Sequence, residues 1–323
     1  MTRNPWKQLA AAARPRDDGR RDLVPMIGTG FNARAGETVS WHGLLARIAG
    51  RRALPDPRAL VGNATFVWES LLCGFAAREN CNPSIAEGRL QSRVAEVLLE
   101  TYSVGGITRG FADQFLANRF RDVVSFNFDY GALSDEPRWS HREPERFNSV
   151  HTHARTAAGT RIWYPHGSVR RPESILLGVR LYGMQIQHLE DAREQFKLTE
   201  KQLKVELGHP GGHGGERDST DEERRTLWHA HREQGESWVA VTMNAPLLCL
   251  GLGMGREEWP LWWLFNQRAR NHARRRIRIP AFVMLPAWEA EPLRVVAELA
   301  GLTLLTFDSY DEGWRRLEDA LAL

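Results

Sequence analysis

The chain has 323 residues, a length that suits one large α/β domain with an insertion or two tightly joined domains, and its net charge of +3, with 42% hydrophobic and 26% charged residues, is ordinary for a globular protein. No stretch approaches the roughly 18 apolar residues of a membrane span, and the basic N-terminus "MTRNPWKQLAAAARPRDDGRR" lacks an apolar signal core, so a cytoplasmic protein with no membrane association is expected. Three cysteines, Cys73, Cys81 and Cys249, are too few and too scattered for a disulfide framework or a four-cysteine zinc site, and the interspersed charge does not indicate direct nucleic-acid binding.

In chain order, the first buried strand is predicted at residues 23–27, running directly into Gly28 and Gly30 of "GTGFN". Without Cβ atoms these glycines let the backbone turn sharply and approach a phosphate or ribose. Gly28, Gly30 and Ala33 satisfy the relaxed G-x-G-x-x-G/A pattern of dehydrogenases. That pattern further requires a helix from the second glycine and an acidic residue about 20 positions on. Here Gly36 falls where the helix should run, and Arg51 and Arg52 stand where the acid belongs. An arginine suits a phosphorylated ribose, so a dehydrogenase remains an alternative at this point. A better helix start is Ser40, an N-cap before "WHGLLARIAG", which leaves residues 31–39 as a long loop able to fold over a nucleotide.

Residues 53–105 hold two amphipathic patterns, "ALVGNATFVWESLLCGFAAR" and "SIAEGRLQSRVAEVLLETY", and are predicted as a helical insertion. The strand in "DVVSF" then delivers Asn127 and Asp129 at its C-terminal end, the edge where open α/β sheets bind ligands, although both residue types also favour turns. In "RIWYPHGS" an apolar run ends in His166, Gly167 and Ser168, placing a group that exchanges protons near neutrality beside a glycine that permits close approach. On its own such a histidine is more often structural. Residues 183–238 read as a charged segment, helical at both ends around the glycine-rich "GHPGGHGGERDSTDEE", where His209 and His213 offer a weak metal-binding alternative.

A strand at 247–252 leads to Gly251, Gly253 and Gly255, a second close-approach loop suited to the adenosine half of a dinucleotide or simply a turn. Trp259, Trp262 and Trp263 follow at near-helical spacing, which favours packing. "RARNHARRRIR", residues 268–278, with six arginines, is readable as a solvated helix end or as a surface for an anionic partner. Strands at 277–285 and 302–307 and a helix in "DEGWRRLEDALAL" complete a strand–helix alternation. The expected fold is therefore a doubly wound, Rossmann-like parallel sheet flanked by helices, forming a single domain over 1–323.

The ordered set of GTGFN, SWHGLL, SFNFD, HGS with "PESILLGVRLY", and CLGLGMG resembles the sirtuin family, specifically the zinc-free sirtuin-like domains of prokaryotic defence systems. The resemblance spans roughly residues 22–260 and lies in order and spacing; it departs from the family in the bulkier GTGFN loop and in a late loop that lacks the usual serine. It implies NAD as substrate, no zinc, and cleavage to nicotinamide and ADP-ribose. In that reading Asn127, His166 and Asp129 are catalytic, while Gly28, Thr29, Gly30, Phe31, Asn32, Ser168, Gly251 and Gly253 bind the dinucleotide. Asn127 orients the ribose and a water, His166 accepts a proton, and Asp129 grips the carboxamide or supports the developing cation. The resemblance also implies anti-phage defence by NAD depletion, a homo-oligomer, and gating by a separate activator such as an ATPase or a nucleic-acid-guided sensor. A protein deacylase and a non-catalytic NAD or ADP-ribose sensor on the same fold are the alternatives.

Overall fold

A computed structural model describes residues 4–33, 41–50, 64–103, 115–116, 119–128, 138–139, 150–151, 153–156, 159–206, 237–255, 258–274 and 276–322. In chain order these form α1 (Pro5–Ala12), β1 (Val24–Ile27), α2 (Thr29–Ala33), α3 (Trp41–Ala49), α4 (Ala64–Glu79), α5 (Pro83–Ser103), β2 (Asp122–Ser125), β3 (Arg138–Trp139), β4 (His153–Arg155) and β5 (Arg161–Trp163). A 3₁₀ turn at Pro172–Ser174 precedes α6 (Gly178–Glu206), α7 (Trp238–Asn244), β6 (Leu247–Leu250), α8 (Trp259–Arg274), β7 (Ala281–Pro286), α9 (Ala287–Leu299), β8 (Thr303–Phe307) and α10 (Tyr310–Leu321).

The eight strands make one sheet in the order β3-β4-β5-β2-β1-β6-β7-β8. From β5 to β8 every pairing is parallel, while β4 and β3 extend the sheet antiparallel at one edge. Alternation along each central strand splits the core into two layers, as a sheet covered on both faces demands. Ile27, Val123, Leu248, Leu250, Phe282 and Leu305 face the layer built with α1, α3, α4, α5 and α10. Met26, Val124, Cys249, Val283 and Leu285 face the layer built with α6, α7, α8 and α9. This is the doubly wound arrangement expected from the sequence. Successive strands step outward from β1 to β2 and β5, then from β6 to β7 and β8, so the order reverses between β1 and β6. A crevice at that reversal, at the C-terminal ends of the strands, is where such sheets bind ligands.

The five long predicted strands all form, with β7 starting later than its apolar run suggested. The antiparallel pair β3 and β4 escaped sequence reading because two or three residues are too few to display a period. One prediction is corrected. Residues after Gly28 do not all belong to a loop, since Thr29–Ala33 form a helical turn. Phe31 drives it: its ring is 1% exposed, packed edge-on to Phe115 at 5.6 Å and to Trp314 at 5.8 Å. The remainder of the predicted loop, with Gly36 and the Ser40 cap, lies outside the described residues, as do Arg51, Arg52 and the glycine-rich stretch with His209 and His213. The helix expected after Ser40 does begin at Trp41.

The two amphipathic patterns between 53 and 105 are α4 and α5, and both reach toward the centre of the molecule. Glu69 accepts from the Val179 amide at the start of α6, and Gln91 donates to the Ile175 carbonyl at 2.7 Å. No helix among the described residues is long and apolar enough to cross a membrane.

The basic stretch at the end of α8 divides. Arg270, Arg274, Arg276 and Arg278 are exposed, Arg275 lies outside the described residues, and Arg268 is only 2% exposed. Its guanidinium donates to the carbonyls of Thr242, Ala245, Ile279 and Pro280, at 2.9 to 3.3 Å, fastening the turns that enter β6 and β7. Burial pulls its pKa down to about 9, still high enough for a cation at neutral pH. His272 also turns inward, with Nε2 at 2.8 Å from the Met243 carbonyl. Arg268→Met keeps the apolar stem but strands these carbonyls. It is expected to lower unfolding free energy by roughly 3 kcal/mol in urea titrations, whereas Arg270→Ala is expected to change it by less than about 0.5 kcal/mol.

Candidate functional site

The site is built where β1, β2, β5 and β6 end. Register places Ile27 beside both Ser125 and Leu250, so the residues that follow emerge side by side. The Gly28 amide donates to the Leu250 carbonyl and the Gly30 amide to the Gly251 carbonyl, both at 3.0 Å. A Cβ on Gly28 would lie 2.6 Å from the Gly251 oxygen, and one on Gly30 would lie 2.8 Å from the Gly251 Cα. Gly251 has φ +61°, and a Cβ there would stand 2.1 Å from the Phe31 amide nitrogen. The three glycines therefore let two loops of the protein approach each other. The close approach anticipated from the sequence is present, but its first beneficiary is backbone packing at the strand-order reversal. Gly253 differs, with nothing within 4 Å of the position a Cβ would take.

Asn127 follows β2 and is 4% exposed. Its Nδ2 donates to the Gly28 carbonyl at 3.0 Å. Because Gly28 offers a carbonyl there, the amide nitrogen must face it, and Oδ1 turns the other way. That oxygen is buried and has no hydrogen-bond partner among the described residues. An unpaired buried acceptor costs on the order of 1–3 kcal/mol, so a donor that reaches it gains correspondingly. Asn127 also lines a small cleft, with Thr29, Trp41, Leu44, Leu98, Phe126 and Phe128.

His166 follows β5, at the start of a turn that glycine makes possible. Gly167 has φ +89°, and a Cβ there would lie 2.0 Å from the Ser174 carbonyl oxygen. The turn is tied by the Leu176 amide donating to the His166 carbonyl and by Gln185 Nε2 donating to the Pro165 carbonyl, both at 2.8 Å. The imidazole is 4% exposed and walled by rings, with centroids at 5.1 Å to Phe126, 5.4 Å to Tyr182 and 6.3 Å to Phe128. Burial pulls its pKa from 6.5 down to about 4, opposed by a hydrogen bond with the Phe126 backbone. The ring is thus neutral at physiological pH and keeps one nitrogen as an acceptor.

The structure thus brings Thr29, Asn127 and His166 to one corner through Phe126 and Phe128. The other candidates divide. Phe31 points into the core, away from the cleft, and its amide is occupied by the Gly28 carbonyl. Asn32 is buried. Ser168 is fully buried and holds the turn, its amide donating to Ser174 Oγ at 2.9 Å and its own Oγ accepting from the Arg170 amide at 3.3 Å. Asp129 lies outside the described residues.

Two elements of the site had a weaker sequence signal. Trp41 and Leu44 of the SWHGLL segment line the cleft, and the Trp41 ring meets Phe128 edge-on at 5.6 Å. Glu258, just before α8, stands with Oε2 4.0 Å from His166 Nε2. In the sequence it was one of two adjacent glutamates ahead of a helix, indistinguishable from a surface residue. Among the described residues no group of three or more His, Cys, Asp or Glu could hold a metal ion. No protein-family model matches the chain, and no curated protein matches it.

Gly251→Ala is expected to destabilise the fold by about 3 kcal/mol or more, combining a strained φ with a backbone clash, whereas Gly253→Ala should stay within about 0.5 kcal/mol. Urea unfolding of both variants checks this. His166 supplies a pH signature as well. Its folded pKa lies below the unfolded value, so the unfolded chain binds more protons between pH 6.5 and about 4, and stability present above pH 6.5 drains away as pH falls. Between pH 7 and 4.5 the wild type should lose on the order of 2 kcal/mol more than His166→Gln, measured by urea unfolding at both values.

Proposed function

We propose that the chain is an NAD glycohydrolase that releases nicotinamide and ADP-ribose. The observation that carries this reading is the Asn127 amide, fixed through the Gly28 carbonyl, with a buried Oδ1 unpartnered among the described residues, in a side chain that lines a cleft at the strand-order reversal. A ribose hydroxyl is a donor suited to that oxygen. The order of the sirtuin-like motifs around the same corner supports the reading independently of the geometry.

The chemistry asks little of the leaving group. Nicotinamide in NAD is already a pyridinium and departs neutral, so no acid is needed; the enzyme must hold the ribose, favour developing positive charge on it and direct a water. Asn127 orients the ribose through Oδ1. His166, neutral and walled by aromatic rings, accepts a hydrogen from the water or a ribose hydroxyl. Thr29 stands exposed at the rim of the cleft, positioned for polar contact with the nucleotide. Ser168 and Phe31 contribute by holding backbone.

An unregulated NAD hydrolase would harm the cell that makes it, so we further propose gating by a separate activator or by self-assembly, consistent with a role in anti-phage defence.

Purified chain, alone and from cells co-expressing the genes that flank its own, is expected to convert NAD to nicotinamide and ADP-ribose, resolved by chromatography. Asn127→Ala and His166→Ala should each lower kcat by about 10²-fold or more. Wild-type rates in both variants overturn the assignment, and turnover that depends strictly on an acylated peptide replaces hydrolysis with deacylation.

A further inference from the structure

Two hydrogen-bond acceptors face each other across a gap at the site. Neutral His166 carries one N–H, and a ring nitrogen hydrogen-bonds the Phe126 backbone; with that N–H on Nδ1, Nε2 keeps its lone pair. Nε2, the nitrogen nearer Glu258, lies 4.0 Å from Glu258 Oε2, too far for a direct hydrogen bond. The backbone that carries Glu258 is held in place by the fold. The Trp262 amide donates to the Glu258 carbonyl at 3.0 Å to open α8, and the Glu258 amide donates to the Gly255 carbonyl at 3.3 Å. Its side chain is 20% exposed, against 5% for His166, so the pair sits between the interior and solvent.

Two acceptors 4.0 Å apart match a single water oxygen placed about 2.8 Å from each, with an angle near 90° between its two donated hydrogen bonds. A water so held has both hydrogens committed and its lone pairs free for attack. Resting on the hydrolase reading above, we propose that Glu258 is a catalytic residue that brackets the attacking water with His166 Nε2 and takes the proton it loses. As the bond between ribose C1′ and the nicotinamide nitrogen breaks, its electron pair leaves with nicotinamide. The water oxygen bonds C1′, and its proton passes to the Glu258 carboxylate and then to solvent. NAD and water thus give nicotinamide, ADP-ribose and one proton. The carboxylate also places negative charge beside a ribose that becomes cationic, an effect present only as the bond breaks.

The test compares wild type, Glu258→Gln and Glu258→Asp, each prepared under the conditions that give wild-type turnover, with circular dichroism and Tm as checks on folding. Glu258→Gln, nearly isosteric, is expected to lower kcat by about 10²-fold with KM little changed, and Glu258→Asp to recover part of the loss. In mixed methanol and water the wild type should form both methyl ADP-riboside and ADP-ribose, and Glu258→Gln should lose both together, since either nucleophile must surrender a proton. A raised KM with unchanged kcat overturns the proposal in favour of ground-state binding, as does a Glu258→Gln variant that retains wild-type kcat and KM. Should Glu258→Gln fail to fold, the kcat of Glu258→Asp decides, with a wild-type value counting against the proposal. Absence of NAD turnover in every wild-type preparation overturns the hydrolase reading and this role together, whereas wild-type turnover with an undiminished variant kcat overturns this role alone.

Discussion

The contact on which the site depends is backbone against backbone at the reversal of strand order. Gly28 and Gly30 lie against Gly251 at distances where no side chain fits. The Gly30 amide, bonded to the Gly251 carbonyl, joins the two halves of the sheet just beyond β1 and β6. Once those loops are locked, the Gly28 carbonyl is a fixed acceptor, and it is that carbonyl which orients Asn127. The position of the Asn127 amide therefore follows from three missing methyl groups. Interiors are too closely packed for the loops to shift and make room for even one of them.

The parts of the fold legible from sequence were those with enough residues to show a period. Buried strands such as β6 and β7 read as unbroken apolar runs because both faces of the sheet are covered, and α5 was visible as an amphipathic helix and α4 as a long apolar helical run. Thr29–Ala33 misled for a definable reason. Gly36 in the following stretch argued against a helix from the second glycine, while the packing of Phe31 between Phe115 and Trp314 supports a short turn before it. The six-arginine stretch misled in the opposite way. Charge suggested a uniform surface, yet Arg268 is the residue on the inward face of α8, where backbone carbonyls replace water.

For the site the limits were different. Asn127 and His166 were singled out because each ends a strand and is followed by a turn, the position where such sheets bind ligands. Glu258 had no such mark, since its relation to His166 arises only when β5 and β6 end on the same side of the sheet with β2 and β1 between them. Ser168 shows the converse. Adjacent to the histidine motif, it shared the motif's signal, but its hydroxyl is committed to the turn that Gly167 requires. Sequence adjacency identified the turn without distinguishing the residue that acts from the residue that supports it.

The electrostatic character of the cleft narrows the chemistry further. Its lining consists of three aromatic residues, two leucines, Thr29 and Asn127, with no charged side chain among them. The nearby carboxylate of Glu258 adjoins the aromatic wall around His166, and burial keeps that imidazole uncharged. A phosphoryl-transfer site needs cations aimed at the reacting group, and the described residues of this lining include none. Aromatic faces and a carboxylate favour positive charge instead, more strongly where water is excluded. NAD presents a cationic ring at the bond to be cut and negative charge only on the pyrophosphate. Its pyridinium and the cationic ribose that follows are the parts suited to the aromatic corner, with the pyrophosphate left toward the exposed Thr29 and Gly30. That orientation is the one the proposed cleavage at the glycosidic bond asks for.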